Sequence, residues 1–282
     1  MWKQLSDELK KAAAAAAPAL VHVGGRDVAG RTGVVWGDGL VLTLAQQARD
    51  GESVPVVLPG GTEAAATVHA WDPRTGLAVL RVPAVADPKW VTGPLPPVGA
   101  LVLTVAFPSP QGPEARLDMV RFVANGTEWG RGVNLDGYFQ TDGGSFPGFT
   151  GSVVVDHEGA LVGFVAENRN GNGGFAVSAA DLARLAAPLV TSGSPKQAWL
   201  GVSTRPAGGQ GLVLLSVDSG SPAEKAGWKT GDLLLSLAGQ PLKDPRDLLR
   251  VLATLVPGTE VSARVLRDGE LNEWPVTPTS RR

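Results

Sequence analysis

The chain has 282 residues and no cysteine. That excludes disulfides, thiolate metal sites and a cysteine nucleophile, and it leaves the redox compartment open. Histidine is almost as scarce: His22, His69 and His157 are the whole supply. Chemistry that needs an imidazole base must use one of these three or do without it. An excess of charge of one sign is also missing. Lys and Arg number 25 against 27 Asp and Glu, for a net charge of −2. Such a balance gives no electrostatic footprint for nucleic acid or an anionic membrane surface. No apolar run reaches the roughly 18–20 residues that cross a bilayer, so no membrane span is expected in this chain. The Ala12–Ala17 run resembles a weak signal core, but Asp7 and Glu8 stand before it where a leader carries basic residues. The expectation is a surface helix with Ser6 as its N-cap, and any leader would lie outside this chain. Neither a metal site nor a cofactor is expected.

Glycine (37) and proline (22) are abundant, which suits many short strands joined by turns. Residues 20–178 supply such runs, among them "GVVWGDGLVLTLA", "EAAATVHAW", "LVLTVAF", "YFQT" and "GSVVVDHEGALVGFVAE". Regular spacing of short apolar runs between turn residues points to an all-β barrel or sandwich. "GDG" at 37–39 and "HEG" at 157–159 are hairpin turn signals. "SAADLARLAAPLV" changes period: Leu182, Leu185, Ala186 and Leu189 share one helical face behind a Ser178 cap. "TSGSPKQ" (191–197) is small, polar and proline-containing, and reads as a linker. Beyond it, "SPAEKAG" predicts a short helix ending at Gly227. "DPRDLLRVLATL" predicts an amphipathic helix with Asp244 as N-cap and Pro245 in its first turn. The last strands turn at Asp268-Gly269. The Gly-rich "GGRDVAGRTG" (24–33) lacks a GK[ST] and opens no helix, which argues against a phosphate loop.

Two resemblances sharpen this reading. "WLGV" followed by "GLVLLSVDSGSPAEKAGWKTGDLLLSLAGQPLKDPRDLLRVLA" closely resembles a bacterial PDZ domain, over residues 198–280. The resemblance implies that an extended peptide adds as a strand beside Leu200, Gly201 and Val202. The helix from Pro245 forms the other wall, and Leu200, Val202, Leu248 and Leu252 line the pocket for the last side chain. Residues 20–190 resemble the trypsin-like protease domain of the HtrA (Deg, high-temperature-requirement) family. "GVVWGDGLVLT" is similar to the approach to that family's catalytic histidine, "DPRTGLAVLRV" to its aspartate segment, and "FQTDGGSFPGFTGSVVVDHEGALVGFVAE" to its nucleophile loop. "LVLTVAFP" and "GGFAVS" match two further strands. A protease domain followed by one PDZ domain is itself the HtrA order.

The resemblance thus implies a mainly β protein: a segment 1–19, a trypsin-like double β-barrel over 20–190, a linker 191–197, and an α+β PDZ domain over 198–282. At the catalytic positions the chain departs from the family. Gln46 stands where the family has histidine, Gly76 where it has aspartate and Thr150 where it has serine. Phe149 and Ser152 replace an asparagine and a glycine of the same loop. Gln46 cannot accept a proton near neutral pH and Gly76 cannot orient a base. No catalytic residue is therefore expected, only a vestigial oxyanion hole at the Gly148 and Thr150 amides. His22, His69 and His157 are expected to be surface or half-buried polar residues, and Asp142 a structural one. The expectation is a pseudoprotease, not an enzyme, binding peptide C-termini or unfolded proteins in quality control or as a scaffold. One alternative is an HtrA-type serine/threonine endopeptidase using Thr150, and another a structural subunit without ligand. The resemblance further implies a homotrimer, with Trp2 as a subunit contact, or association with an active paralogue. It favours the periplasm or cell envelope over the cytoplasm.

Overall fold

The computed structural model describes residues 2–24, 30–45, 49–83, 85–129, 133–143, 146–166, 174–195 and 198–280. The chain divides into two units, Met1–Pro195 and Lys196–Arg282.

The first unit opens with helix α1 (Trp2–Ala16). Ser6 is therefore not the cap that was expected but an interior residue. The apolar stripe explains the earlier start: Leu5, Leu9, Ala12 and Ala16 recur at helical spacing, Leu9 packs on the core, and Ala12 and Ala16 are buried. The strands β1 (Leu20–Val23), β2 (Arg31–Gly37), β3 (Leu40–Leu44), β4 (Ser53–Val57), β5 (Glu63–Trp71) and β6 (Leu77–Arg81) follow. They close a barrel in the order β1-β2-β3-β6-β5-β4. The Asp38-Gly39 turn joins β2 to β3 with Gly39 at a φ of +69°, the left-handed conformation that glycine adopts without strain.

Strands β7 (Leu101–Ser109) and β8 (Gly112–Ala124) begin the second barrel. A ribbon of β9 (Thr127–Trp129) and β10 (Val133–Leu135) follows, then β11 (Tyr138–Thr141), β12 (Val153–Val155), β13 (Leu161–Ala166) and β14 (Gly174–Ser178). The closed order is β11-β14-β13-β12-β7-β8. One apolar cluster fills the first barrel, with Val21, Val35, Val41 and Leu80. Another fills the second, with Val102, Val120, Phe139 and Val154. A third, including Leu20, Leu77, Phe107, Val153 and Leu182, joins both barrels to the helices. Each fully buried Leu, Val or Phe contributes about 1.5–3 kcal/mol.

Helix α2 (Ala179–Ser192) begins at its Ser178 cap, whose hydroxyl accepts the Asp181 amide. It runs two residues past the expected linker boundary at 190. The segment after it is strapped to the first barrel. The Ser194 hydroxyl accepts the Trp71 amide at 2.8 Å and donates to Asp50 at 2.6 Å, and the His69 ring lies 3.2 Å from the Val190 carbonyl.

The second unit holds β15 (Ala198–Trp199), β16 (Val202–Pro206), β17 (Leu212–Val217), helix α3 (Pro222–Lys225), β18 (Leu233–Leu237), β19 (Gln240–Pro241), helix α4 (Pro245–Thr254), β20 (Val261–Arg267), β21 (Glu270–Val276) and β22 (Thr279–Ser280). The sheet runs β16-β17-β18-β20-β21 with β19 on β18, and β15 pairs with β22. Asp244 caps α4 in a reciprocal capping box with Asp247, behind Pro245. Ser221 caps α3, and Asp268-Gly269 turns β20 into β21 with φ of +53° and +84°.

Candidate active site and peptide groove

The loop from Phe146 to Ser152 leads from β11 to β12 and meets the first barrel at Thr32. The Thr32 amide donates to the Thr150 carbonyl at 3.1 Å. The Thr32 hydroxyl donates to the Gly148 carbonyl at 2.8 Å and accepts the Phe107 amide at 2.9 Å. The Thr43 hydroxyl donates to the Thr32 carbonyl at 2.9 Å. The amide and the hydroxyl of one buried threonine thus both seat the loop. Glycine is required at two of its corners. Gly148 has a φ of +81°, and a Cβ there would stand 2.5 Å from the Pro108 side chain. Gly151 has a φ of +89°, and its Cβ would stand 2.2 Å from the Thr32 carbonyl oxygen.

Thr150 is half-buried on this loop, and among the described residues its hydroxyl has no hydrogen-bond partner. Gln46 and the neighbouring Gln47 lie outside the described residues. Gly76 takes a φ of +79° in the turn before β6. Its carbonyl accepts the Ala45 amide at 2.8 Å, so the Gly76 backbone holds the residue that precedes Gln46. The turn itself is tied by Asp72, which is buried and takes two Arg74 guanidinium bonds at 2.9 Å. Asp142 bonds the Met119 amide through its carboxylate at 2.7 Å, a structural role as expected.

His22 departs from expectation. It is not a surface group: the residue is 1% exposed. It lies opposite Thr32 in the β1–β2 register, with Nδ1 3.2 Å from the Phe107 carbonyl. A carbonyl oxygen only accepts, so this contact places a proton on Nδ1, and Nε2 has no partner among the described residues. Gly30 covers the ring, since a Cβ on it would meet Cε1 at 1.8 Å. Burial followed from a signal in the sequence, the flanking "ALVHV", in which His22 stands within an unbroken apolar strand. His157 is exposed in its turn and His69 half-buried.

Phe149 and Phe146 carry the outer wall of the loop. Their rings stand 5.8 Å apart, and the Arg116 guanidinium lies 4.6 Å from the centroid of Phe146 and 5.2 Å from that of Phe149. Arg116 is paired with buried Asp118 at 2.8 Å, and the Thr104 hydroxyl donates to Asp118 at 2.6 Å. Nothing in the bare motif placed Arg116 here. Ser152, which replaces a glycine of the family's loop, is fully buried with its hydroxyl unpartnered among the described residues.

In the second unit, β16 is the edge of the sheet and α4 packs beside it. The turn ahead of β16 is fixed by its carbonyls: that of Leu200 accepts the Ala223 amide at 3.0 Å and that of Gly201 the Asp218 amide at 2.8 Å. Gly201 has a φ of +76°, and a Cβ there would stand 2.2 Å from Ser221 Cβ. Leu200 and Leu248 are buried, and Val202 and Leu252 pack half-buried on the same apolar cluster. On the far side, Arg267 bonds Asp232 through two contacts of 2.7 Å and stacks 4.3 Å from the Trp274 ring.

Comparison with known proteins agrees with both halves. Residues 31–164 match the trypsin-like peptidase domain family and residues 198–277 the PDZ domain family. A probable periplasmic serine endoprotease, DegP-like, of Brucella suis is 31% identical over 269 residues, 86% of this chain and 51% of that protein. A protein of the same description from Chlamydia muridarum is 28% identical, over 90% of this chain and 54% of its own. The chain spans about half the length of these curated relatives. The serine endoprotease from Yersinia pestis superposes with a TM-score of 0.68 at 26% identity, covering 97% of this chain and 98% of that one. The HtrA-type protease AlgW with decapeptide superposes with a TM-score of 0.65 at 21% identity, over 97% and 99%.

These findings overturn the expectation that the chain is not an enzyme. Its relatives across most of its length are named serine endoproteases, and a solved neighbour is a serine endoprotease. The expectation rested on the side chains at Gln46, Gly76 and Thr150 and on the lack of another base, and it took the loop backbone for a vestige. That backbone keeps its glycine corners and its seat on Thr32. With a double-barrel unit, a PDZ unit and relatives of this similarity, the chain belongs to the HtrA (DegP-like) family.

Proposed function

We propose that the chain is an HtrA-type endopeptidase acting on extended or unfolded polypeptide, with Thr150 as its hydroxyl nucleophile. The observation that carries this reading is the seating of the Gly148–Gly151 loop on Thr32, in a chain whose relatives are named serine endoproteases. In this reading the Thr150 oxygen attacks the scissile carbonyl as its hydroxyl proton passes to a base, the Gly148 and Thr150 amides receive the developing oxyanion, and the base returns the proton to the departing amine as the C–N bond breaks. Of the three histidines, His22 is the one buried beside Phe107 with Nε2 unpartnered among the described residues, which makes it the candidate base. A His22→Gln variant is therefore measured beside Thr150→Val.

The PDZ unit would capture peptide C-termini at Leu200, Gly201 and Val202, between the β16 edge and α4, with Leu248 and Leu252 reading the terminal side chain. The units of this reading are a peptidase-fold domain over 20–190 and a PDZ domain over 198–282. The relatives' description favours the periplasm. Assembly through the N-terminal helix belongs to the same reading, since Trp2 is 78% exposed there.

The test is degradation of unfolded casein by the purified chain, with fragments identified by mass spectrometry. The expected result is cleavage that Thr150→Val abolishes, by about 10⁴-fold or more as for loss of a nucleophile. Casein left intact, or cleaved equally by Thr150→Val, overturns the assignment.

A further inference from the structure

A cavity of about 300 Å³ opens beside the nucleophile loop, between β7, the start of β8 and the loop itself. Its walls include Pro108, Pro147, Gly148 and the rings of Phe146 and Phe149, and its one ionisable group is Glu114. The prolines and phenyl rings make the walls largely apolar, and Ser109 adds the one side-chain hydroxyl among the lining residues. Glu114 is exposed at the end of the β7–β8 hairpin, opposite Ala106, and has no ion-pair partner among the described residues. Arg116 pairs with Asp118 and lies over the Phe146 and Phe149 rings. The cavity depends on Gly30, which also borders it and which cannot carry a side chain above His22.

We propose that this cavity is a specificity subsite for a lysine or arginine side chain of a polypeptide lying across the Gly148–Thr150 loop. The inference rests on the peptidase reading of that loop. The chemistry of the walls selects the ligand. A long aliphatic stem covers the phenyl and proline surfaces while its charged end stays at the mouth. There the cation meets the Glu114 carboxylate. A norleucine stem gains the apolar contact without the charge. A glutamate is repelled by Glu114.

The experiment uses the full chain carrying Thr150→Val and a set of amidated decapeptides in which one lysine is walked through a fixed background. Norleucine and glutamate replace that lysine in matched peptides. Amidation removes the terminal carboxylate that the PDZ groove would bind. Calorimetry is expected to show one lysine position that binds about fivefold tighter than norleucine, the scale of a partly exposed ion pair. The preference is expected to vanish in Glu114→Gln and to turn toward glutamate in Glu114→Lys. Equal affinity for the three peptides, a preference that survives Glu114→Gln, or no binding at all overturns the subsite. The same peptides given to the unsubstituted chain separate the two claims. Cleavage with no basic residue enriched at a fixed offset leaves the peptidase reading standing and removes the subsite. Lysine-selective, Glu114-dependent binding without cleavage does the reverse.

Discussion

The Thr32 amide donates to the Thr150 carbonyl at 3.1 Å, and this bond ties a strand of the first barrel to the loop of the second. The threonine is fully buried, and its hydroxyl bridges the Phe107 amide and the Gly148 carbonyl. Replacing it with valine keeps the shape and removes the bridge. One donor and one acceptor are then left unpaired in the interior, which costs about 1–3 kcal/mol. We expect Thr32→Val to lower the melting temperature of the first unit by several degrees, at about 2–4 °C per kcal/mol for a unit of this size. Calorimetry that finds the transition unmoved would show that the hydroxyl does not hold the loop.

The groove of the second unit makes a separate prediction. Peptides ending in an apolar residue with a free carboxylate should bind at about micromolar affinity, roughly −8 kcal/mol. Amidating the terminus should weaken them sharply, because the amides ahead of β16 lose a charged acceptor. Gly201→Ala should weaken them too: its Cβ would lie 2.2 Å from Ser221 at a φ of +76°. Titration that gives equal affinities for acid and amide peptides would place the binding elsewhere.

Acid should loosen the second unit through Asp232. Burial raises the pKa of this carboxyl, but the Arg267 hydrogen bonds, the Lys229 amide and the charges of both residues outweigh burial and leave it below the ordinary value. A carboxyl with a lower pKa folded than unfolded binds fewer protons in the folded state. Its stabilisation is complete above the unfolded value of about 3.9 and is lost as pH falls through the lower folded value. Thermal scans from pH 6 to pH 2 should show the loss. Arg267→Met should destabilise the unit at pH 7, and the gap to the unsubstituted chain should narrow at pH 2. A gap that stays constant across this range would remove Asp232 as the titrating group. Asp181, held low by Arg184, Gly137, Asp136 and Ser178 against the effect of burial, should act in the same direction in the first unit.

What the sequence made legible follows from how local each signal is. Asp244-Pro245, Ser178 and the Asp268-Gly269 turn act within a few residues, and each stands in the structure where the local sequence placed it. The two barrels and the PDZ sheet were legible from strand spacing together with motif order. The start of α1 was misplaced because a serine cap is a weak signal beside a buried stripe that begins at Leu5. The burial of His22 was signalled locally by its apolar strand and missed, whereas its partner Phe107, 85 residues away, left no local signal. The stack of Arg116 on Phe146 and Phe149 has the same cause: a contact between β8 and a loop some 30 residues later leaves no local pattern.

Gly76 carries the last prediction. The family's aspartate position is occupied by a residue at a φ of +79°, a conformation that costs a side-chain-bearing residue about 1–2 kcal/mol. A Cβ at this site would also stand 3.1 Å from the Ala45 carbonyl oxygen, closer than an unstrained contact. The Gly76 amide donates to the Asp72 carbonyl at 2.7 Å, and its carbonyl accepts the Ala45 amide at 2.8 Å. Relieving the strain by rotating φ would break one of these bonds and move the residue before Gln46. Restoring aspartate therefore is not a local repair. We expect Gly76→Asp to destabilise the first unit by about 1–3 kcal/mol, the scale of a residue held in a sparsely populated backbone region. We also expect Gly76→Ala to do so nearly as much, since the backbone rather than the carboxylate is the cause. Calorimetry on the two variants checks this. A Gly76→Asp protein as stable as the unsubstituted chain would mean that the turn can hold the aspartate, and that the positive φ follows from glycine rather than demanding it.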